Sequence, residues 1–278
     1  MSKREYTREM LPHTRREVFF DVVKLQWKSL FGLGVVLCVV ALPLLFCYIA
    51  EQVYSSMILD QANNIENTEK YITVVNEING LSNFFAFVEI PIWALIGIAV
   101  AGVHRIVRQY AYEECVKFSY DFSKAVKQNA RQVVLLFVLY AAVAAISDFA
   151  YDLNILTEGV MKIISAVPMA LLIFLFTPIA ATMLVLIPVY SNSFRKNFMW
   201  AFYVFAKKPF KILIACFCAV SVLILALIPH FYIALIGRVI GILLLPFAML
   251  GFYLAMFDIL DELINKENYP EIVGKGMF

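Results

Sequence analysis

The sequence is poor in charge, cysteine and histidine, and these shortages argue against several classes of protein. Only 16% of its 278 residues are Asp, Glu, Lys or Arg, whereas a soluble domain carries about 25%. The five cysteines form neither a metal-ligand spacing nor a disulfide framework. The three histidines lie far apart, and neither a zinc-protease motif nor a Gly-rich phosphate loop occurs. The sequence therefore predicts a chain that is not an enzyme and that binds no cofactor or metal.

Apolar residues are abundant, and they are gathered into long uncharged runs. The chain is 62% hydrophobic with a mean hydropathy of +0.80, and a helix needs about 20 apolar residues to cross a bilayer. The composition predicts an all-α polytopic helical bundle that forms a single integral membrane domain over residues 1–278. Six spans are predicted, at residues 29–50, 84–104, 132–150, 163–190, 212–229 and 238–257. A very short link, "PHFY", predicts that the last two spans form a tight hairpin.

The distribution of Lys and Arg predicts the orientation of these spans. Residues 1–28 carry seven basic residues, 105–131 carry six, and 191–211 carry five with no acid. Residues 51–83 and 148–162 each contain a single Lys. Because Lys and Arg concentrate in cytoplasmic loops, both termini are expected in the cytoplasm. Residues 1–28 then form a cytoplasmic amphipathic N-terminus and residues 258–278 a cytoplasmic tail, whose acidic residues weigh little in this rule.

The sequence allows more than one structure for two segments, residues 51–83 and the fourth span. Residues 51–83 are predicted to be extracellular, and their spacing of apolar residues fits short amphipathic helices on the outer surface as well as it fits a mobile loop. The fourth span contains three prolines, Pro168, Pro178 and Pro188. It is therefore expected either to be kinked or to begin in the outer interface.

A basic, aromatic pattern occurs three times at the start of a span, and one copy is "FSKAVKQNARQVVLLF". In each copy a Phe is followed five residues later by Lys and nine residues later by Lys or Arg. The three basic joints, as we call them, are residues 19–28, 122–131 and 202–211. Basic residues four apart share a helix face, which can meet lipid phosphates from an interfacial position. We therefore expect amphipathic interfacial helices on the cytoplasmic side.

The even-numbered spans carry a matching mark, a proline in the middle or outer half. Pro91, Pro178 and Pro246 occupy these places. The repeating unit is thus a basic joint, a span, an outer turn and a proline-marked span, which predicts three hairpin repeats of one topology. Membrane topology alone would also place basic residues beside spans, and proline is common in membrane helices.

Two ionisable residues lie inside or beside the apolar runs. Glu89 precedes Pro91 in span two, and Arg238 begins span six. An ionisable group within a membrane is costly and marks a functional candidate. The pair is consistent with a structural ion pair or with a substrate or proton site. In a third alternative, Glu89 simply reaches the outer interface.

Basic residues around the predicted inner ends of the spans form a candidate binding rim. Anionic lipid headgroups are the simplest ligands for such a rim, because each basic group gains about 1 kcal/mol at an anionic surface. A docking surface for a protein partner is the alternative, whereas nucleic acid is not expected without a folded basic domain. The candidate residues are Lys24, Lys28, Arg105, Arg108, Lys127, Arg131, Arg195, Lys207 and Lys211.

Three stretches resemble the YesL-like family of bacterial membrane proteins. They are "IGIAVAGVHRIVRQYAYEECVKFSYDFSKAVKQNARQVVLL", "LIPVYSNSFRKNFMWAFYVFAKKPFKILI" and "LLLPFAMLGFYLAMFDILDE", and the resemblance covers about residues 84–262. The chain departs from the family in its longer segment 51–83 and in its extended N-terminus. The resemblance implies a multi-span protein in the plasma membrane of a Gram-positive bacterium, of a kind often encoded beside carbohydrate ABC importers.

These observations lead to two hypotheses for function. The first is a non-enzymatic accessory or partner subunit of a transport system, with subunits of a carbohydrate ABC importer as its partners. The second is a carrier or lipid-handling transporter that uses a cavity between hairpins near Glu89 and Arg238.

Overall fold

A computed structural model describes residues 11–62, 68–152 and 159–277, and within these ranges the chain is helical without any strand. Several helices are interrupted by single π or 3₁₀ turns. The elements, in chain order, are α1 Arg15–Ala62, α2 Thr68–Ala111, α3 Phe118–Asp152, α4 Gly159–Leu171, a π-helical turn Leu172–Phe176, α5 Thr177–Val189, α6 Phe194–Lys207, α7 Pro209–Val220, a 3₁₀ segment Ser221–Leu227, α8 Phe231–Leu260, a π-helical turn Asp261–Asn265, α9 Lys266–Asn268 and a 3₁₀ turn Pro270–Ile272.

Within the described ranges, six helical stretches are long and apolar enough to cross a membrane, which confirms the predicted all-α class and the predicted number of such helices. Several are much longer than the predicted runs. Helix α1 has 48 residues, or about 72 Å at 1.5 Å per residue, whereas the hydrocarbon core is about 30 Å thick. The six stretches are Arg15–Asp60, Ile72–Ala111, Phe118–Asp152, Gly159–Val189, Pro209–Leu227 and Phe231–Asn268.

The contacts divide the chain into two compact units. Unit 1 consists of Met1–Cys38, Ala99–Gln132 and Pro178–Phe278, and unit 2 consists of Val39–Ile98 and Val133–Thr177. Helices α1, α2 and α3 each contribute residues to both units. The single-domain assignment, the repeats and the orientation of the termini stay predictions.

Small residues let helices approach closely within each unit. In unit 1, Gly34 of α1 lies against the backbone of Leu243 in α8, where even a Cβ atom would clash. In unit 2, a Cβ on Gly97 of α2 would lie 3.1 Å from the Cα of Val134 in α3. Without a hydrophobic driving force between helices in lipid, such close contacts are a main source of helix association.

The last two spans form the tight hairpin that the short link predicts. The 3₁₀ segment ends at Leu227 and α8 begins at Phe231. Gly237 and Gly241 on α8 face the 3₁₀ segment, and a Cβ on Gly237 would lie 2.5 Å from the carbonyl carbon of Leu225. The hairpin therefore depends on glycine for its close packing.

The proline-rich fourth span is interrupted at its second proline. Helix α4 gives way to a π-helical turn at Leu172, and α5 begins at Thr177, directly before Pro178. Proline has no backbone N–H and its ring clashes with the preceding turn, so the hydrogen-bond ladder must rearrange here. Both the backbone N–H and the hydroxyl of Thr177 donate to the carbonyl of Leu172, the hydroxyl at 2.8 Å.

The segment 51–83 is helical over its described residues, but it does not form separate short helices. Residues 51–62 continue α1, and residues 68–83 belong to the start of α2. The amphipathic spacing fitted helix and a mobile loop equally well, and the described residues are helical. It could not distinguish a new surface helix from an extension of a neighbouring span, because both have the same period.

Candidate functional site

The three basic joints all belong to unit 1. Of the nine basic residues predicted to bind lipid or a partner, seven are exposed: Lys24, Lys28, Lys127, Arg131, Arg195, Lys207 and Lys211. Exposed aromatic side chains accompany them. Lys28 lies over the ring of Trp27 at 5.7 Å, and Lys207 lies over the ring of Tyr203 at 5.9 Å. This mixture of cationic and aromatic groups suits the boundary between lipid and water.

The third joint differs from the other two because it is broken. Helix α6 ends at Lys207 and α7 begins at Pro209, with Lys208 between them at φ −135° and ψ 51°. A residue before proline is disfavoured in the helical region, which explains the break. In the first two joints, the position that corresponds to Pro209 holds Gln26 and Asn129, respectively. Neither is a proline, and α1 and α3 continue without a break through these joints. Of the three joints, the third alone therefore forms a separate short helix before its span.

Helix α6 is amphipathic and is fixed by polar contacts on one face. Asn197, Ala201 and Val204 are buried, whereas Phe198, Met199, Phe202 and Tyr203 on the other side are exposed. The amide nitrogen of Asn197 donates to the side-chain oxygen of Gln132 at 3.0 Å. The amide nitrogen of Gln132 donates to the carbonyl of Asn192 at 2.9 Å, just before the helix. One glutamine of α3 thus holds both the start and the first turn of α6.

Arg105 and Arg108 are less exposed than the other seven basic candidates and contact groups within unit 1. Arg105 Nη1 donates to the side chain of Gln128 at 2.6 Å, which connects α2 to α3. Arg108 donates to the carbonyl of Pro188 at 2.8 Å and to Glu114 at 3.1 Å. These contacts show a structural role for both guanidinium groups, which the sequence analysis did not predict.

A buried charge cluster centred on Arg15 was missed by the sequence analysis. Arg15 is 8% exposed at the start of α1. Its guanidinium donates to Asp261 at 2.9 Å, to Asp258 at 3.4 Å and to the carbonyl of Lys275 at 2.5 Å. It also lies over the ring of Phe257. One cation therefore joins the first helix to the end of the last span and to the C-terminal tail.

Asp261 also forms hydrogen bonds with other residues of unit 1. Its Oδ2 also accepts from the backbone N–H of Gly274 at 3.1 Å, and its Oδ1 accepts from Asn265 at 2.7 Å. The hydroxyl of Tyr190 in turn donates to the side-chain oxygen of Asn265. A buried network whose members are all satisfied stabilises one arrangement, because any shift leaves a polar group unpaired.

The tail is docked against the end of α2 as well. Lys275 pairs with Glu114 at 2.5 Å and lies over the ring of Tyr112. Gly276, at φ +89°, is so close to Ala111 that a Cβ would lie 2.6 Å from its carbonyl oxygen. Both the conformation and the space demand glycine there. We call Arg15, Asp258, Asp261, Glu114 and Lys275 the tail clamp.

Burial is the main cause of the shifted pKa values of three side chains near the tail clamp, Tyr112, Tyr190 and Glu113. It raises the pKa of the Tyr112 and Tyr190 hydroxyls, so both stay neutral. Burial also raises the pKa of Glu113, with a smaller contribution from the charge of Asp21. The Oε1 atom of Glu113 is buried without a hydrogen bond from any described residue.

The two intramembrane candidates fall in different units. Glu89 is half-buried on α2 in unit 2, and Arg238 is half-buried on α8 in unit 1. Their pairing stays a prediction. Among the described residues, no three His, Cys, Asp or Glu side chains are grouped so as to hold a metal ion.

Six helices among the described residues are long and apolar enough to cross a membrane, which indicates a multi-pass membrane protein. No family model matches the chain, and no curated protein or solved structure shows significant similarity to it.

Proposed function

We propose that the chain is a non-enzymatic accessory subunit of a membrane transport system, with subunits of a carbohydrate ABC importer as partners. The observation that carries this proposal is the collection of seven exposed basic side chains in unit 1. The resemblance to the YesL-like family supplies the transport context and the plasma membrane of a Gram-positive bacterium, and the distribution of Lys and Arg supports a cytoplasmic location of both termini.

Helix α6 is the best candidate for the docking element. It is a short, separate helix with one face fixed to α3, and its other face presents exposed aromatic and basic groups. Interfaces are enriched in aromatic side chains and Arg, and complementary charge steers association. The partner surface is therefore expected to be acidic around an apolar centre.

Affinity purification from membranes of the native host in mild detergent tests the proposal. The tagged wild-type chain should recover transporter subunits identified by mass spectrometry. Arg195→Glu combined with Lys207→Glu should lose them, whereas Lys117→Glu, an exposed basic residue of unit 1 outside the joints, should keep them. Recovery of no transporter subunit in several detergents would contradict the proposal. If the joints hold only anionic lipid, charge reversal will change lipid retention in the absence of any partner.

A carrier or lipid-handling transporter is the second candidate. It is favoured by two half-buried ionisable groups, Glu89 and Arg238, within spanning helices. The test is substrate or lipid flux in proteoliposomes. Flux that is unchanged by Glu89→Gln argues against a pathway that uses this carboxylate.

A further inference from the structure

A groove of about 730 Å³ runs along α8 within unit 1. Its walls come from the start of α1, from α7 with the following 3₁₀ segment, and from α8. This volume falls within the range of about 300–1,000 Å³ that is usual for ligand sites.

The groove has the length of one lipid leaflet. It extends from Phe247 to Glu262, which is about 22 Å at 1.5 Å per residue. Half of the hydrocarbon core with one headgroup layer measures about 20–22 Å. An acyl chain lying along α8 would therefore reach from the membrane midplane to the headgroup layer.

Small side chains keep the groove open over its apolar length. Ala215 and Ala219 line it from α7, and Ala248, Gly251 and Ala255 line it from α8. These positions recur every three to four residues, so each set lies on one helix face. Alanine and glycine at these positions leave space for a hydrocarbon chain beside larger apolar side chains of the same groove, such as Phe247 and Phe252.

One end of the groove is charged, and it carries both signs. Lys211, Asp258 and Glu262 line this end. The Asp258 side chain is 63% exposed although one of its oxygens accepts from Arg15. Glu262 is 48% exposed and pairs with Lys208 at 2.7 Å. The end of the groove therefore offers an ammonium group next to accessible carboxylate oxygens.

We propose that this groove binds an aminophospholipid, whose headgroup carries a phosphate and a primary ammonium. Lys211 meets the phosphate, and Asp258 with Glu262 accepts hydrogen bonds from the ammonium. A choline headgroup has no N–H to donate, and a glycerol headgroup has no ammonium group to contact the exposed carboxylate oxygens. The groove shares Lys211 with the third basic joint, but it differs from the rest of the joints in its two carboxylates, and it does not depend on the proposed partner.

Lipid retention by the purified full-length chain tests the proposal. Native mass spectrometry after incubation with phosphatidylethanolamine, phosphatidylglycerol or phosphatidylcholine of identical acyl chains measures the preference. We expect phosphatidylethanolamine to be retained about tenfold better than either of the others. Asp258→Asn with Glu262→Gln should abolish that preference, and Lys211→Gln should reduce retention of every phospholipid. Glu267→Gln, an exposed acid of α9 outside the groove, is the matched control and should change neither.

A second variant leaves the charges intact. Ala219→Phe places a ring in the groove and should displace the lipid without altering the carboxylates. Equal retention of the three lipids by the wild-type chain would overturn the proposal. So would full retention of phosphatidylethanolamine by Ala219→Phe, or a preference that survives the loss of both carboxylates.

Discussion

Unit 1 and unit 2 are both helical, but different interactions hold them together. Unit 1 contains buried Arg15, Asp261, Asn265 and Asn197, which form hydrogen bonds between elements far apart in sequence. In unit 2 the buried polar side chain among the described residues is Ser147, which bonds to Val143 in its own helix. Polar contacts between helices of unit 2 are only half-buried, as between Tyr140 and Thr177.

This difference predicts different responses to substitution. A buried polar network discriminates against alternative packings, because each misplaced group loses its partner in a medium of low dielectric constant. Apolar packing of small residues tolerates shifts more gradually. Unit 1 should therefore lose stability when one buried polar side chain is removed, whereas unit 2 should lose stability mainly when side-chain volume is added.

The largest effect is expected from Arg15→Ala. The change leaves Asp261 buried without its cation and should lower the free energy of unfolding by about 3–5 kcal/mol. Thermal unfolding in detergent or nanodiscs measures it. Arg16→Ala is the matched control, because Arg16 is exposed next to it on α1, and it should change stability by less than about 0.5 kcal/mol. Equal effects of the two variants would refute a special role for the clamp.

A smaller loss is expected from Gln132→Ala. The fully buried amide of Asn197 loses its partner, which costs about 1–3 kcal/mol. Gln26→Ala, at an exposed position of α1, is the control, with an expected cost below about 0.5 kcal/mol. Thiol labelling of a single cysteine introduced on the buried face of α6 provides an independent measurement. Labelling should become faster only in the Gln132 variant, because only that change removes the contact between α3 and α6.

Unit 2 should respond to volume. Gly97→Ala and Gly80→Ala lie on the same helix and gain similar helix propensity, about 1 kcal/mol. A Cβ on Gly97 meets the backbone of Val134, whereas a Cβ on Gly80 has no neighbour within 4 Å. The Gly97 variant should therefore be less stable than the Gly80 variant by about 1–3 kcal/mol. Equal stability in thermal unfolding would show that close approach of α2 and α3 is unimportant.

The smallest effect is a pH-dependent one at Glu113. Its raised pKa means that the folded state favours the protonated carboxyl, so stability is lost as pH rises through the folded-state pKa. Glu113→Gln mimics the protonated form. It should be more stable than the wild type at pH 7 by less than about 1 kcal/mol. The difference should vanish below the ordinary pKa of 4.5. A difference independent of pH would contradict this explanation.

The sequence predicted the spans well and the tail clamp not at all. Long apolar runs and the short "PHFY" link are local signals, and Pro209 could have predicted the break between α6 and α7. Arg15 and Asp261 are 246 residues apart, so no local pattern links them. The acidic residues after Phe257 were a usable signal, since buried acids in a membrane protein require a cation. The sequence could not predict that these acids pair with Arg15 rather than with a lysine of a basic joint, because that choice is made by the tertiary structure.

Hydrogen exchange of the wild-type chain and of Arg15→Ala, compared residue by residue, tests the central difference between the two units most directly. Loss of the clamp should accelerate exchange in residues 261–277 and at the end of α2, at 108–114, because the clamp connects these segments. Residues 72–98 of the same helix belong to unit 2 and should exchange as in the wild type. Equal acceleration in both parts of α2, or an unchanged tail, would contradict the account.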